Sequence, residues 1–368
     1  MILVDFSSIL HRMIHISVAS VKNKTVDGKF MTSDFIGMTK YLILQELFNV
    51  QQQYSTKFGE IVICLDKSAD GYWRKDVHPG YKASRKKGRD ASEINFGEIF
   101  QEIDALINQI KINLPWKVVE VPRAEADDIM LVLAKEFNKY ENVLIHSPDK
   151  DMIQAQRDND TVFQYSALTK KWLVPENKHD TMDHWLQEHV VLGDASDEVP
   201  KVTDHTEFSD AFIKYLKDNN VLITAPHEFK TNKDIDQTTK IELLNKFDIF
   251  KMNRKGESTG VKDVYKDIKF GPATLQKKIA EFGTLDKWLD SHPLYRPHYD
   301  RNFTLVMAEG IPTDIWNKIV IAFKEADVTY NDVQFKEYLL ENELKTILMD
   351  LPNIFKVNHE LTAENCGW

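Results

Sequence analysis

Cysteine is nearly absent from this chain, whose 368 residues include only Cys64 and Cys366. Two cysteines cannot build a disulfide framework or a cysteine-based zinc site, and no C-x-x-C or H-E-x-x-H motif accompanies the histidines. No apolar stretch approaches the ~20 residues that a membrane-spanning helix needs, and Asp5 interrupts any signal-peptide start. We therefore expect a soluble protein of the reducing cytoplasm, with no membrane contact.

The net charge of the chain is negative, at −10, with 42 % hydrophobic and 28 % charged residues. This composition is typical of a globular protein, and the length suffices for one large or two moderate domains. A negative net charge is only weak evidence against a nucleic-acid partner when a cluster of carboxylates supplies part of that charge. Local runs of charge are therefore the better guide to partners.

Four short apolar runs lead into acidic residues. Asp5, Asp66 and Asp149 follow the first, second and fourth runs, and Glu125, Asp127 and Asp128 follow the third, at residues 118–121. Short β-branched runs separated by helical stretches are typical of buried parallel strands. The sequence therefore predicts an α/β fold with a mostly parallel central sheet flanked by helices. The carboxyl ends of its strands would gather these acids at one edge, where open α/β sheets bind ligands.

Such a concentration of like charges predicts bound cations, because the acids must otherwise become protonated. A cage of carboxylate oxygens suits Mg²⁺ or Mn²⁺, and those metals point to phosphate chemistry. Each acid alone has a plain structural alternative, since a carboxylate at a helix N-terminus also serves as a cap. Several caps in parallel would be a less economical explanation than a metal site.

Two further groups of acids extend this prediction to a second metal ion. Asp151 follows Asp149 by two residues, and Asp194 and Asp197 lie three apart in a turn that Gly193 begins. Two-metal sites for phosphoryl transfer hold their ions ~3.5–4 Å apart and bridge the scissile phosphate. Asp151, Asp194 and Asp197 could thus complete the shell of a second ion.

A basic segment follows Asp66 and carries aromatic residues. Its cations are Arg74, Lys75, Lys82, Arg85, Lys86, Lys87 and Arg89, and its rings are Tyr72, Trp73 and Tyr81. A solvated charge run is the ordinary explanation of such a stretch. Next to an acidic crevice, however, cations that neutralise phosphates and rings that stack on bases favour contact with nucleic acid.

These motifs together resemble the flap-endonuclease and 5′-nuclease family. The resemblance rests on five motifs in order between residues 4 and 197: Val4-Asp5; Asp66 with Tyr81-Lys82-Ala83-Ser84-Arg85; Glu125-Ala126-Asp127-Asp128; Asp149-Lys150-Asp151; and Gly193-Asp194-Ala195-Ser196-Asp197. Each motif alone is weak, but five in the family's order are highly specific.

The resemblance implies a PIN-like nuclease core with two Mg²⁺ ions, replaceable by Mn²⁺. The first ion would be held by Asp5, Asp66, Asp127 and Asp149, with Glu125 and Asp128 in or near its shell, and the second by Asp151, Asp194 and Asp197. Lys82 and Arg85 would be catalytic residues at the base of a helical arch that act on the scissile phosphate. Arg74, Lys75, Tyr81, Lys86, Lys87 and Arg89 would contact nucleic acid.

The family also binds duplex DNA through a helix-turn-helix element. Its glycine-rich pattern corresponds to Lys269-Phe270-Gly271-Pro272-Ala273-Thr274-Leu275, so Lys269 and Gly271 are expected nucleic-acid contacts. Some relatives hold a K⁺ ion at this element. The resemblance therefore includes a K⁺ site at the helix-turn-helix. Two departures argue against that site here: Lys269 replaces the usual first glycine, and about sixty inserted residues separate the two halves of the element.

The resemblance therefore implies a structure-selective 5′→3′ exonuclease and flap endonuclease with ribonuclease H-type activity on RNA–DNA hybrids. Its substrate would be duplex DNA with a 5′ flap or an RNA primer, removed during phage DNA replication in the host cytoplasm. We expect a monomer, with a single-stranded-DNA-binding protein as a plausible partner. Two alternatives stay open: a catalytically silent binder of branched DNA on the same fold, and a Mg²⁺-dependent hydrolase of small phosphate esters.

Three segments are expected along the chain. Residues 1–192 would form the nuclease core, including a basic arch region at 70–100. Residues 193–310 would form the helix-turn-helix region, interrupted by a polar insertion at 203–262. Residues 311–368 would form a C-terminal helical segment.

Overall fold

A six-stranded sheet organises the first half of the chain. Its strands are β1 (Ile2–Asp5), β2 (Ile61–Leu65), β3 (Lys117–Glu120), β4 (Val143–His146), β5 (Val162–Ser166) and β6 (Lys171–Leu173).

The computed structural model describes residues 1–22, 32–67, 71–85, 96–157, 160–174, 182–205, 207–223, 228–229, 232–246, 250–252, 258–261, 270–291, 295–349 and 351.

The strand order is β3-β2-β1-β4-β5-β6, and β1 to β5 run parallel. Only β6 is antiparallel, paired with β5 as an edge hairpin, with Tyr165 opposite Trp172. The predicted parallel sheet is therefore confirmed. Because β1 lies between β2 and β4, the acids that follow these three neighbouring strands emerge at the same edge.

Helices cover both faces of this sheet. They are α1 (Phe6–Lys22), α2 (Thr32–Phe58), α4 (Phe96–Asn113) and α5 (Ala126–Phe137), whereas the short α3 (Arg74–Val77) packs on the helix at Tyr295–Val306 instead. Alternate strand residues such as Ile2, Val4 and Ile61 are fully buried in one cluster with side chains of α1, α2 and α4. The helix α5 packs on strands β1 to β4. Burying each large aliphatic side chain in this way contributes about 1.5–3 kcal/mol.

The second half of the chain is mainly helical. After a 3₁₀ helix at Lys150–Gln156, it contains α6 (Met182–Leu192), α7 (Glu207–Asp218), α8 (Gln237–Lys246), α9 (Pro272–Phe282), α10 (Leu285–Leu289), α11 (Tyr295–Val306), α12 (Thr313–Glu325) and α13 (Asp332–Glu341). Short 3₁₀ helices occupy Val202–His205 and Ala308–Gly310. A hairpin pairs β7 (Phe250–Met252) with β8 (Ser258–Val261).

The polar insertion has a small apolar core of its own. Leu216, Val221, Ile223, Phe229 and Leu243 are buried together. Its polar composition did not indicate this core, because the five residues are spread over 28 positions of otherwise hydrophilic sequence.

The chain forms two compact units, and their boundaries differ from the three expected segments. The first unit comprises residues 1–73, 86–176 and 311–368, and the second comprises residues 74–85 and 177–310. The C-terminal helices therefore belong to the sheet unit: α12 packs on α5, and α13 packs on α4. Among the described residues, no helix is long and apolar enough to cross a membrane.

Candidate metal centre

Asp5 ends β1 and is only 6 % exposed. Its carboxylate accepts hydrogen bonds from the Ser8 amide (2.9 Å) at the start of α1 and from the Ser147 hydroxyl (2.8 Å) just after β4. The Ser147 hydroxyl in turn accepts a hydrogen bond from the Asp149 amide at 3.1 Å. Asp5 therefore links the ends of two neighbouring strands and fixes the position from which Asp149 projects.

Asp66, the residue after β2, is exposed but oriented by two helices. Its Oδ1 accepts from the Ala126 amide (2.7 Å) at the start of α5, and its Oδ2 accepts from the Ser7 hydroxyl (2.5 Å) of α1. The two hydrogen bonds thus hold the Asp66 carboxylate at the edge of the sheet.

The N-terminus of α5 carries Glu125, Asp127 and Asp128, which have different environments. Glu125 and Asp128 form a capping box, in which each side chain accepts a hydrogen bond from the other residue's amide. Asp128 is wholly buried, and its Oδ2 also accepts from the indole Nε1 of Trp73 at 3.0 Å. Asp127 is partly exposed. This arrangement makes Asp128 a residue that positions the helix, and it leaves Asp127 as the more accessible acid.

Asp149 and Asp151 follow β4 in a turn that leads into the 3₁₀ helix. Asp149 is exposed, and its Oδ1 caps this helix by accepting from the Asp151 amide at 2.9 Å. The buried Gln164 of β5 donates its Nε2 hydrogens to the carbonyls of Ser147 (3.0 Å) and Asp149 (2.6 Å). The neighbouring strand therefore holds this turn in place.

Cys64 of β2 is buried beside Asp5, its partner in the pairing of β1 with β2. Burial raises the pKa of its thiol well above the ordinary value, and the negative charges of Asp5, Asp127 and Asp66 raise it further. One buried atom is thus within the field of three carboxylates from three different elements. Their convergence matches the predicted gathering of acids at the carboxyl ends of the strands.

The second unit contains the acidic turn of Asp194 and Asp197. Asp194 accepts hydrogen bonds from the amide (2.6 Å) and hydroxyl (2.7 Å) of Ser196, and its backbone pairs with that of Val199. Gly193 begins the turn with φ +64°, and a Cβ there would lie 2.3 Å from the carbonyl oxygen of Val199. Only glycine therefore fits this position.

Asp197 is bound to the basic segment in the same unit. Its carboxylate pairs with Nζ of the buried Lys82 at 3.2 Å and with the guanidinium of Arg85 at 2.6 Å. The Tyr81 hydroxyl donates to it at 2.9 Å, and the Lys82 amide donates to its carbonyl at 3.1 Å. Lys82 adopts the left-handed backbone conformation, with φ +52°. These contacts hold both predicted catalytic cations against the acidic turn.

A known family accounts for this combination of sheet edge and acids. Residues 1–185 match the family model described as 5′-3′ exonuclease, N-terminal resolvase-like domain, which is half of the chain. The chain belongs to this 5′-3′ exonuclease family. Its six-stranded, mostly parallel sheet is the resolvase-like domain of the family, so the predicted fold class and family are confirmed.

Two curated relatives agree with this assignment. The chain is 31 % identical to ribonuclease H of Enterobacteria phage T4 over 175 residues, which are 47 % of this chain and 56 % of the relative. It is 29 % identical to the 5′-3′ exonuclease of Buchnera aphidicola subsp. Schizaphis graminum over 206 residues, 55 % of this chain and 64 % of the relative. The matches therefore span a little over half to just under two thirds of these relatives.

Solved structures share the fold of this 5′-3′ exonuclease family member. A structure of the phage T5 5′-exonuclease with bound zinc aligns with 89 % of this chain and 98 % of its own, at 14 % identity and a TM-score of 0.51. A T5 D15 protein co-crystallised with metal ions aligns with 88 % and 98 %, at a TM-score of 0.50. At this identity the likeness concerns the fold alone.

The basic segment of this family member is only partly available to a ligand. Lys75 is exposed, but Arg74 and Tyr81 are only 4 % and 3 % exposed. The guanidinium of Arg74 donates its Nε hydrogen to the carbonyl of Leu305 at 2.8 Å and lies over the Tyr81 ring. Arg74 and Tyr81 are thus enclosed by protein in this structure, and their contact with nucleic acid stays a prediction. Lys86, Lys87 and Arg89 lie outside the described residues.

After the polar insertion, α9 and α10 follow one another, joined at Gly283 and Thr284, and the predicted helix-turn-helix with its two halves on either side of the insertion stays a prediction. Gly271 is the N-cap of α9 and Pro272 is its first residue, as the sequence predicted. Phe270 stacks on Trp288 of α10 in a buried cluster. Lys269 lies outside the described residues, and DNA binding by Gly271 stays a prediction.

Sequence reasoning missed the roles of several residues that shape the site, and it assigned Trp73 to base stacking although this ring is buried against Asp128. Ser147, Gln164 and Trp73 bind the acids or their backbone, as described above, and Asn302 is fully buried between the carbonyls of Val190 (3.0 Å) and Pro200 (2.8 Å). Asn302 thereby fixes the ends of the acidic turn from α11. No local motif marks such residues, because their partners are distant in sequence.

Proposed function

We propose that this family member is a Mg²⁺-dependent, structure-selective 5′→3′ exonuclease and flap endonuclease. It would hydrolyse phosphodiesters in RNA–DNA and DNA–DNA duplexes by a two-metal mechanism, and it would remove RNA primers during phage DNA replication. The family assignment supports the nuclease class. Similarity to a phage ribonuclease H supports the RNA-containing substrate.

The single observation that carries the proposal is the convergence of carboxylates at the sheet edge. Asp5 and Asp66 lie at the ends of neighbouring strands, and the Asp66 carboxylate binds the amide of Ala126, the residue before Asp127. A stable fold gains nothing from such mutual repulsion unless cations offset it. The nuclease chemistry of the family would use such cations.

The donor set fits Mg²⁺ or Mn²⁺. The candidate ligands of the first ion are all carboxylates, the hard oxygen donors that these ions prefer. Asp5, Asp66, Asp127 and Asp149 would hold the first ion, with Glu125 beside them and Asp128 supporting the helix. When bound, the ions would offset the negative charge of the phosphate and lower the pKa of the attacking water.

The chain's own residues would orient this site before any metal binds. Hydrogen bonds from Ser8, Ser147 and Ala126 fix the Asp5 and Asp66 carboxylates, as the distances above show. Fixed ligands need little reorganisation when a cation arrives, which favours tight binding in one geometry. Exposed Asp66 and Asp149 would give the phosphate access to the site.

The roles of the second unit belong to the same proposal. Asp194 and Asp197, together with Asp151 of the first unit, would bind the second ion. Lys82 and Arg85, which both pair with Asp197 here, would exchange that carboxylate for the scissile phosphate when the substrate binds. Lys75 and the N-terminus of α9 at Gly271 would bind the phosphates of duplex DNA. A single-stranded-DNA-binding protein is the partner that the replication role favours.

A cleavage assay tests this function. A 5′-labelled flap substrate and an RNA–DNA hybrid would be incubated with Mg²⁺ or with EDTA, using wild-type protein and the Asp149→Asn variant. Asp104→Asn is the matched control, because Asp104 is an exposed acid of α4 outside the cluster. We expect Mg²⁺-dependent cleavage by wild type and by Asp104→Asn. Asp149→Asn should bind the substrate but cleave at least 100-fold more slowly, on the order of one lost ligand's contribution.

Three other results would contradict the proposal. Binding without cleavage by wild type would indicate a silent branched-DNA binder. Cleavage of a small chromogenic phosphate ester but not of DNA would indicate a phosphohydrolase. Equal rates for wild type and Asp149→Asn would remove the acid cluster from the mechanism.

A further inference from the structure

A histidine lies beside the acidic turn of the second unit and has no role in the function proposed above. A ring nitrogen of His189 and a carboxylate oxygen of Asp194 lie within 4.8 Å of each other. Both residues are partly buried, and Nε2 of the imidazole is enclosed by protein. Around an octahedral ion with bonds of about 2.1 Å, the ligand atoms lie ~3.0–4.2 Å apart. The two side chains could therefore bind one ion after only a small movement.

The local fold holds both side chains in place. His189 lies in the last turn of α6, and its carbonyl accepts a hydrogen bond from the Gly193 amide at 3.0 Å. Its imidazole stacks on the indole of Trp185, with the ring centroids 5.2 Å apart and the ring planes 12° apart. Asp194 directly follows Gly193, and the amide and hydroxyl of Ser196 bind its Oδ1. Ligands that are oriented in advance favour binding of an ion in one geometry.

The other acid of this turn is less available to an ion. Oδ1 of Asp197 pairs with the Arg85 guanidinium at 2.6 Å, and its Oδ2 pairs with Nζ of Lys82 at 3.2 Å. Both oxygens of Asp197 are thus shared with cations before any substrate binds. The hydrogen bonds that Asp194 accepts from the described part of the chain all go to its Oδ1. Without nucleic acid, an ion at this turn would therefore depend on Asp194 and on a donor other than Asp197.

The imidazole of His189 is the donor that the structure offers at this place. Resting on the proposed nuclease function, we propose that His189 is a ligand of the second ion and binds it through a ring nitrogen, together with Asp194. Mg²⁺ is held through oxygen donors, whereas transition-metal ions such as Mn²⁺ also bind imidazole. The second site would therefore favour Mn²⁺ over Mg²⁺ more strongly than the first site, whose candidate ligands are carboxylates. The alternative role of His189 is to stabilise the C-terminal end of α6 without contact to an ion.

Pulsed electron paramagnetic resonance of bound Mn²⁺ tests this assignment. Untagged protein would be saturated with Mn²⁺ without nucleic acid, and the nitrogen modulation of the electron spin echo would be recorded. A directly bound imidazole produces this modulation, whereas carboxylates and water contain no nitrogen. We expect the modulation in wild type and its loss in His189→Gln. His184→Gln is the matched control, because it makes the same change on α6 at a histidine that contacts the Gln276 side chain.

Competition between ions gives a second readout. Mg²⁺ would be titrated against bound Mn²⁺, and the released Mn²⁺ would be followed by its resonance signal. The second Mn²⁺ should bind at least tenfold more weakly to His189→Gln than to wild type or His184→Gln, and the affinity for Mg²⁺ should change less. Circular dichroism would verify that the variants are folded.

The outcomes separate this inference from the nuclease proposal. Mn²⁺ bound without nitrogen modulation in wild type, or with equal modulation in His189→Gln, would overturn the role of His189 even if the protein cleaved DNA. Modulation that is lost only in His189→Gln would support the ligand even if cleavage were absent, which would contradict the nuclease proposal alone. A wild-type protein that binds no Mn²⁺ would contradict both.

Discussion

The hydrogen bond between Trp73 and Asp128 offers a direct test of how the fold supports the acid cluster. Trp73 is 4 % exposed, and its indole Nε1 donates to Oδ2 of the wholly buried Asp128 at 3.0 Å. The same Oδ2 accepts the Glu125 amide at 2.9 Å, so this carboxylate fixes the first turn of α5, from which Asp127 projects. Trp73→Phe removes the donor and keeps an aromatic ring.

The expected cost follows from the nature of the bond. A hydrogen bond to a charged group contributes about 1.5–3 kcal/mol, and the smaller ring leaves a gap that adds about 1 kcal/mol. The free energy of unfolding should therefore fall by about 3 kcal/mol in Trp73→Phe. Urea denaturation followed by circular dichroism would measure it.

A matched control separates the lost bond from the loss of an indole in general. Trp172→Phe makes the same change at a tryptophan of β6 that is 47 % exposed. Its cost should stay under about 1 kcal/mol, as is usual away from buried features. The reasoning is refuted if the two variants are destabilised equally, or if Trp73→Phe loses less than about 1 kcal/mol.

Three other predictions concern stability. His146 has its pKa lowered from 6.5 to about 4 in the folded chain, so the unfolded chain binds a proton that the folded chain excludes. As the pH falls from 6.5 to 4, the free energy of unfolding should thus decrease by up to about 3 kcal/mol. Urea denaturation at several pH values should show this decrease in the wild-type protein but not in His146→Gln. Gly193→Ala should lower the free energy of unfolding by more than about 2 kcal/mol, because the new Cβ would clash with the Val199 carbonyl. Gly283→Ala should lower it by only about 1 kcal/mol, because Gly283 has φ +87° but open space around its Cα. Thermal unfolding would measure both. In urea denaturation, Lys82→Ala should lose about 1–2 kcal/mol more of the free energy of unfolding than Arg85→Ala. The reason is that the ion pair of Lys82 with Asp197 is buried, whereas the Arg85 side chain of the second pair is half-exposed.

The sheet edge was predictable because its signals are local. Apolar runs that end on Asp5, Asp66 and Asp149 predicted parallel strands, and the strand order placed the three strands next to one another. The periodicity of strands and helices is set by residues close in sequence. The acids could be predicted together because parallel strands leave their carboxyl ends on one side.

The surroundings of the acids were not predictable, because they depend on distant partners. Arg74 and Tyr81 belong to a basic run that favoured solvent or nucleic acid, yet both are buried in the second unit. Gln164 holds the turn at Asp149 from the neighbouring strand. A charge run shows which residues are cationic, but only tertiary packing decides which of them remain exposed.

Metal binding itself is the most direct test of the account. Mn²⁺ would be titrated into the wild-type protein without nucleic acid, and the free ion followed by electron paramagnetic resonance. We expect saturable binding that weakens at least tenfold in Asp5→Asn and in Asp66→Asn but not in Asp104→Asn, since only the first two acids lie at the sheet edge. If all four proteins bind Mn²⁺ equally, or none binds it, the acids at the carboxyl ends of the strands are not a metal centre.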